Sequence, residues 1–111
     1  MRDERVYLQD IIESIDLIFV YLGDKNEFEF SQSLLLQDAI FRRFEIIGEA
    51  SANLPAEFQT KYPMVEWRLM KAMRNKLAHE YFGISSDTVY NTIKQDLPVL
   101  LEKIKTILNQ Q

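Results

Sequence analysis

Arg74, His79 and Tyr81 are the residues whose types and spacing most directly suggest chemistry. The chain there reads Met73-Arg74-Asn75-Lys76-Leu77-Ala78-His79-Glu80-Tyr81-Phe82-Gly83, and His79 is its single histidine. Arginine presents a planar fork of N–H donors that matches phosphate oxygens, and histidine, with an unperturbed pKa of about 6.5, exchanges protons near neutrality. Together they suit cleavage of RNA by its own 2′-hydroxyl. A base removes the 2′ proton, an acid protonates the departing 5′ oxygen, and cations stabilise the charge-rich phosphorane between them. In principle this scheme needs no metal.

Geometry constrains that reading. Five positions along an ideal helix separate Arg74 and His79 by roughly 140°, so the two cannot share one narrow face of a regular helix, and the helix end must help. One histidine also cannot be base and acid of the same step. A two-fold dimer would bring two copies of each residue to one cleft, which predicts a homodimer with a shared site. Asn75 is placed to orient His79 or the phosphate. Each residue also has a plainer reading: His79 as a cap near a helix C-terminus, Asn75 as a solvated surface amide, Tyr81 as an ordinary aromatic. Trp67, Met70, Met73 and Leu77 recur at helical spacing and read as core or interface.

Charge supports a local anion site. Lys and Arg total 13 and Asp and Glu 17, for a net charge of −4, which argues against a general nucleic-acid coat or an anionic membrane surface. Between Lys61 and His79, however, five basic residues (Lys61, Arg68, Lys71, Arg74, Lys76) face one acid, Glu66, leaving 8 basic and 16 acidic residues elsewhere. Arg68, Lys71 and Lys76 are therefore candidate RNA contacts. Cations near a helix C-terminus also complement its dipole, which is the alternative for any one of them.

The elements that must position these residues are helical. Apolar residues recur at three and four, Gly and Pro number three each, and no strand-like alternation appears. A first helix is predicted from Asp3 to Leu22, with a stripe of Tyr7, Leu8, Ile11, Ile12, Ile15, Ile18, Phe19 and Leu22 and with Gly23 as its stop. Asp24 to Phe30 reads as a polar connection, after which Ser31 caps a long second helix through Leu54. Gly48 inside it suggests close backbone approach by a neighbouring helix. Pro55 and Pro63 each fit a first helical position, giving a short turn at Ala56–Thr60 and a third main helix from Met64 through His79, with Gly83 ending that unit. Ser85 or Ser86 caps a fourth helix carrying Val89, Ile93, Leu97, Leu100, Leu101, Ile104, Ile107 and Leu108, bent by Pro98. The expectation is one all-α domain over residues 1–111, an antiparallel four- to five-helix bundle.

Composition removes several function classes. With no cysteine, disulfide frameworks, thiolate metal sites and cysteine nucleophiles are excluded, and one histidine excludes a multi-histidine metal site within a chain. The longest apolar run, Leu17 to Leu22, is six residues, where a spanning helix needs about 20. A soluble, cytoplasmic protein is expected.

The chain resembles the HEPN superfamily, and within it the HepT-like toxins paired with MNT-type nucleotidyltransferase antitoxins. The group's Arg-x-x-x-x-His-x-Tyr signature stands here as Arg74, His79 and Tyr81. The likeness extends to Ile46-Ile47-Gly48-Glu49-Ala50, the Trp67 to Met73 lead-in, Tyr81-Phe82-Gly83 and Asp96-Leu97-Pro98. It implies a homodimeric HEPN-like bundle with Arg74 and His79 of both subunits in an interface cleft, and metal-independent, cofactor-free endoribonuclease action on RNA such as tRNA. Asn75 matches the polar residue that often follows the motif arginine. The resemblance further implies that the nucleotidyltransferase silences the toxin by transferring AMP from ATP to Tyr81. A bulky anionic group two residues from His79 would obstruct the cleft and repel RNA phosphate. Three alternatives remain: a helical partner and AMP acceptor with little nuclease activity of its own, a nucleotide-binding subunit of a nucleotidyltransferase, and a purely structural bundle.

Overall fold

The computed structural model describes residues 3–79 and 85–111, with side chains for 3–75 and 85–111. All of its regular structure among these residues is helical. Helix α1 (Glu4–Leu22) opens on Asp3, whose carboxylate accepts from the Arg5 backbone N–H at 2.8 Å. The Arg5 guanidinium, 3.0 Å away, is the main reason that this carboxyl sits below the usual carboxylate range. Gly23 ends the helix at φ 55°, returning its N–H to the Phe19 carbonyl. Most of the expected stripe is buried, with Ile12 and Phe19 partly so.

The stretch expected to be a polar connection instead contains a short helix, α2 (Glu27–Ser31). Asn26 and Glu29 form a reciprocal capping box, each side chain accepting from the other's backbone N–H at 2.8 and 3.0 Å. The turn exists to seat Phe30, which is 0% exposed and stacks obliquely against Tyr90. Ser31 belongs to α2 and donates to the Phe28 carbonyl, so the cap of α3 (Leu34–Asn53) is Ser33, whose hydroxyl accepts from Leu36 N–H at 3.1 Å.

Pro55 directly precedes α4 (Ala56–Lys61) rather than occupying its first turn. Pro63 starts no helix either, because the third main helix, α5, runs Trp67–His79. The connector before it is held by bonds that compete with helix. The Trp67 indole donates to the Tyr62 carbonyl at 3.0 Å, Lys103 donates to the Met64 carbonyl at 3.0 Å, and Val65 is drawn into the core. The stop expected at Gly83 lies outside the described residues.

Ser85 occupies the cap position of α6 (Ser86–Asn91), although its hydroxyl bonds to that of Thr88 rather than to the helix backbone. A π turn, Thr92–Asp96, follows and leads into α7 (Leu97–Asn109), with Pro98 in its first turn. The proline lacks an N–H and crowds the preceding turn, so the bend expected at Lys94–Pro98 takes the form of one widened turn, closed by the Leu97 N–H on the Thr92 carbonyl. Helix α3 is central, packed on α1 and on α5, while α7 covers α1 and α6 meets α2. The result is the expected all-α bundle around one apolar core.

The two serines give a direct check. Ser33→Ala should lower unfolding free energy in urea by about 1 kcal/mol, whereas Ser31→Ala should stay within about 0.5 kcal/mol of wild type.

Candidate active site

Helix α5 carries the candidate residues, and its contact with α3 sets where they stand. Ser51 on α3 lies 3.5 Å from the Met70 sulfur, and one turn back Gly48 meets Met70 and Arg74. Decreasing numbers on α3 thus face increasing numbers on α5, so the helices run antiparallel. Trp67 is buried with its indole N–H satisfied, and Met70 and Met73 pack against the core, as their helical spacing suggested. Leu77 lies among the side chains not described.

Arg74 is half-buried and Asn75 is exposed. The Asn75 side-chain oxygen accepts from Arg74 Nη2 at 2.9 Å and from Nε at 3.2 Å. Asn75, expected to orient His79 or a phosphate, holds the Arg74 guanidinium; its relation to the His79 side chain lies outside the described residues. No sequence signal distinguishes these partners, since adjacent helical residues do not normally face each other and only the long arginine stem lets its head fold back. Two of the guanidinium's five N–H donors are thereby used, and the others have no acceptor among the described residues.

Arg68 and Lys71 are exposed on the same helix. Lys71 lies three positions before Arg74, which makes the two neighbours on the helix surface. Among the described residues, no carboxylate forms a salt bridge with Arg68, Lys71 or Arg74. Helix α5, described as far as His79, keeps both members of the pair in one element. The side chains of Lys76 and His79, and all of Tyr81, lie outside the described residues. So does any distance between Arg74 and His79. Among the described residues no group of three His, Cys, Asp or Glu could hold a metal ion, and no helix is long and apolar enough to cross a membrane.

On the other flank of α5, toward α7, lies an open groove of about 500 Å³. Phe44 and Ile47 of α3 line it, with Leu69 and Met73 on the α5 side and Val99 and Leu100 on the α7 side. Leu69 is 60% exposed and Val99 53%. Periodicity placed Val99 off the buried stripe, but it gave no sign that apolar residues of two helices would flank one opening.

Among the described residues, the chain is an all-helical bundle with exposed cations along one helix, α5. The chain belongs to the HepT-like ribonuclease family, whose model (Ribonuclease HepT-like) matches residues 11–107. It is 39% identical over 106 residues to the probable ribonuclease HepT of Thermococcus cleftensis, covering 96% of each chain. Over 109 residues it is 44% identical to a protein of Methanocaldococcus jannaschii named gamma-glutamylcyclotransferase and candidate RNase; that match takes in 98% of this chain but 49% of the relative, so the chain spans about half of its length. A candidate RNase of Caldanaerobacter subterraneus subsp. tengcongensis is 35% identical over 111 residues, with 100% and 99% of the two chains covered. No solved structure gives a significant match.

Proposed function

We propose that this protein is a metal-independent endoribonuclease, the toxin of a HEPN/MNT toxin–antitoxin pair, with a composite Arg74/His79 site shared by two subunits. The observation that carries this reading is the Arg74 guanidinium. It is aimed by Asn75, free of any carboxylate partner among the described residues, and set on the helix that also holds His79 in a HepT-like chain.

In the proposed reaction the 2′-oxygen attacks phosphorus as one His79 accepts its proton. The bond to the 5′-oxygen breaks as the second subunit's histidine donates a proton to it, leaving a cyclic phosphate and a 5′-hydroxyl. Arg74 neutralises charge on the non-bridging oxygens, where a preorganised donor contributes most. Arg68, Lys71 and Lys76 hold the flanking RNA phosphates, tRNA being the expected class. With EDTA present, wild type should cleave RNA, while His79→Ala should lose about 10²–10⁴-fold and Arg74→Ala about 10²–10³-fold in rate. Undiminished cleavage by His79→Ala would sink the mechanism.

In this scheme the acid and the base are two copies of His79, so a second copy of the chain is needed, and the apolar lining of the groove beside α5 supports that face as its docking surface. Leu69→Asp should convert a dimer to a monomer in sedimentation velocity and abolish cleavage with it. A monomeric, active wild type would refute the shared site. Neutralisation is proposed to occur by AMP transfer from ATP to the Tyr81 hydroxyl by an MNT-type nucleotidyltransferase, on the strength of the tyrosine's place two residues after His79. Incubation with such an enzyme and labelled ATP should label wild type and not Tyr81→Phe; equal labelling of both would place the acceptor elsewhere.

A further inference from the structure

Gly48 lies in the middle of α3, where an alanine would ordinarily favour the helix. Its surroundings explain the exception. A Cβ built there would stand 2.3 Å from the Arg74 Cβ, 3.0 Å from the Arg74 Cγ and 3.0 Å from the Met70 carbonyl oxygen. Ordinary contact starts near 3.4 Å, so the nearest atom would have to withdraw by about 1 Å. That atom is a Cβ, fixed to the α5 backbone, and no rotamer change can move it. The helix itself would have to shift or rotate, carrying the arginine stem with it.

Many helix crossings use a small residue simply to pack. What distinguishes this one is where the pressure falls. The two closest atoms belong to Arg74 itself, whose head is held at its other end by Asn75. The guanidinium is thus located by two constraints: the hydrogen at Gly48 fixes the root of the side chain, and the Asn75 oxygen fixes its tip. Asn75 sits on α5 and would move with that helix, so it cannot correct a displacement of the root. The α3 surface at position 48 is a reference for Arg74 that lies outside its own helix.

We propose that Gly48 is a positioning residue of the nuclease site: its missing side chain sets the place of the Arg74 guanidinium against the scissile phosphate. This rests on the reading of Arg74 as the phosphate-binding cation. A displacement of about 1 Å can cost on the order of 100-fold in rate, and because the charge to be met develops in the transition state, the loss falls on kcat rather than KM.

The experiment compares wild type, Gly48→Ala and Val89→Ala, the last a destabilising control in the buried face of α6, away from α5. Two readouts are taken: the Arg74 Nε–Hε resonance in ¹H–¹⁵N spectra, and RNA cleavage under saturating substrate. Gly48→Ala should move the resonance and lower kcat about 100-fold with KM within threefold, while Val89→Ala should leave the resonance in place and keep kcat within threefold. An unmoved resonance in folded Gly48→Ala, unchanged cleavage, or an equal loss in Val89→Ala overturns the proposal. Arg74→Ala in the same assay identifies which part failed. If it cleaves like wild type, the reading of Arg74 is wrong; if it is inactive while Gly48→Ala is active, only the role of the glycine is wrong. Should Gly48→Ala not fold, the double variant Gly48→Ala/Arg74→Gly, which removes both Arg74 contacts and leaves the Met70 one, must fold better than Gly48→Ala, and its failure to do so also overturns the proposal.

Discussion

The contact between α3 and α5 is the constraint on which the candidate site depends. Helix α5 has one principal packing partner, and the close approach at Gly48 decides how deeply and at what rotation it sits. From that rotation follow the burial of Trp67 and the partial burial of Met70 and Met73, and with them the outward presentation of Arg68 and Lys71. The basic face of α5 is a product of this docking. A helix turned by a fraction of a turn would bury cations and expose methionines, at a desolvation cost that no partner among the described carboxylates is there to offset.

Helix α5 is also held firmly where it begins. The Trp67 indole is bonded to the Tyr62 carbonyl, Lys103 reaches across from α7 to the Met64 carbonyl, and the Tyr62 hydroxyl accepts from Gln111. Helix α7, through Lys103, and Gln111 just beyond it therefore hold the connector that leads into the helix carrying the candidate site, over sequence separations of 39 and 49 residues. Overall acidity and a locally basic helix coexist because the acids are distributed over the other elements. Such a chain offers positive charge along one helix and not over its whole surface.

Much of this was legible from residue order. Stripes at three and four gave α1, α3 and the rod from Ser86 onward, since each is long enough for its period to stand out, and Gly48 as a point of close approach followed from its cost to a helix. Other features were not legible, for physical reasons. Helix α2 spans little more than a turn, so its period is invisible; only Asn26 and Glu29, spaced as a capping box, signal it. Pro63 is compatible with a helix start, yet the connector's carbonyls are taken by Trp67 and Lys103, partners that only the tertiary structure brings near. At the site, the types and order of Arg74, Asn75 and His79 were plain in the sequence. That Gly48 meets Arg74 in particular, and that Asn75 turns to its neighbour, depends on the docking of one helix against another.

The π turn at Thr92–Asp96 acts as a phase corrector. Val89, Ile93, Leu97 and Leu101 are spaced by four residues each, and in an uninterrupted α-helix three such steps drift by about 120° around the axis. All four are nonetheless buried. One turn closed five residues apart absorbs much of that drift, so a single stripe stays inward while its first part meets α2 and its last part meets α1. The rod thereby serves two partners with one face, and the spacing of its apolar residues, read as a clock running slightly slow, marks the place where the helix is reset.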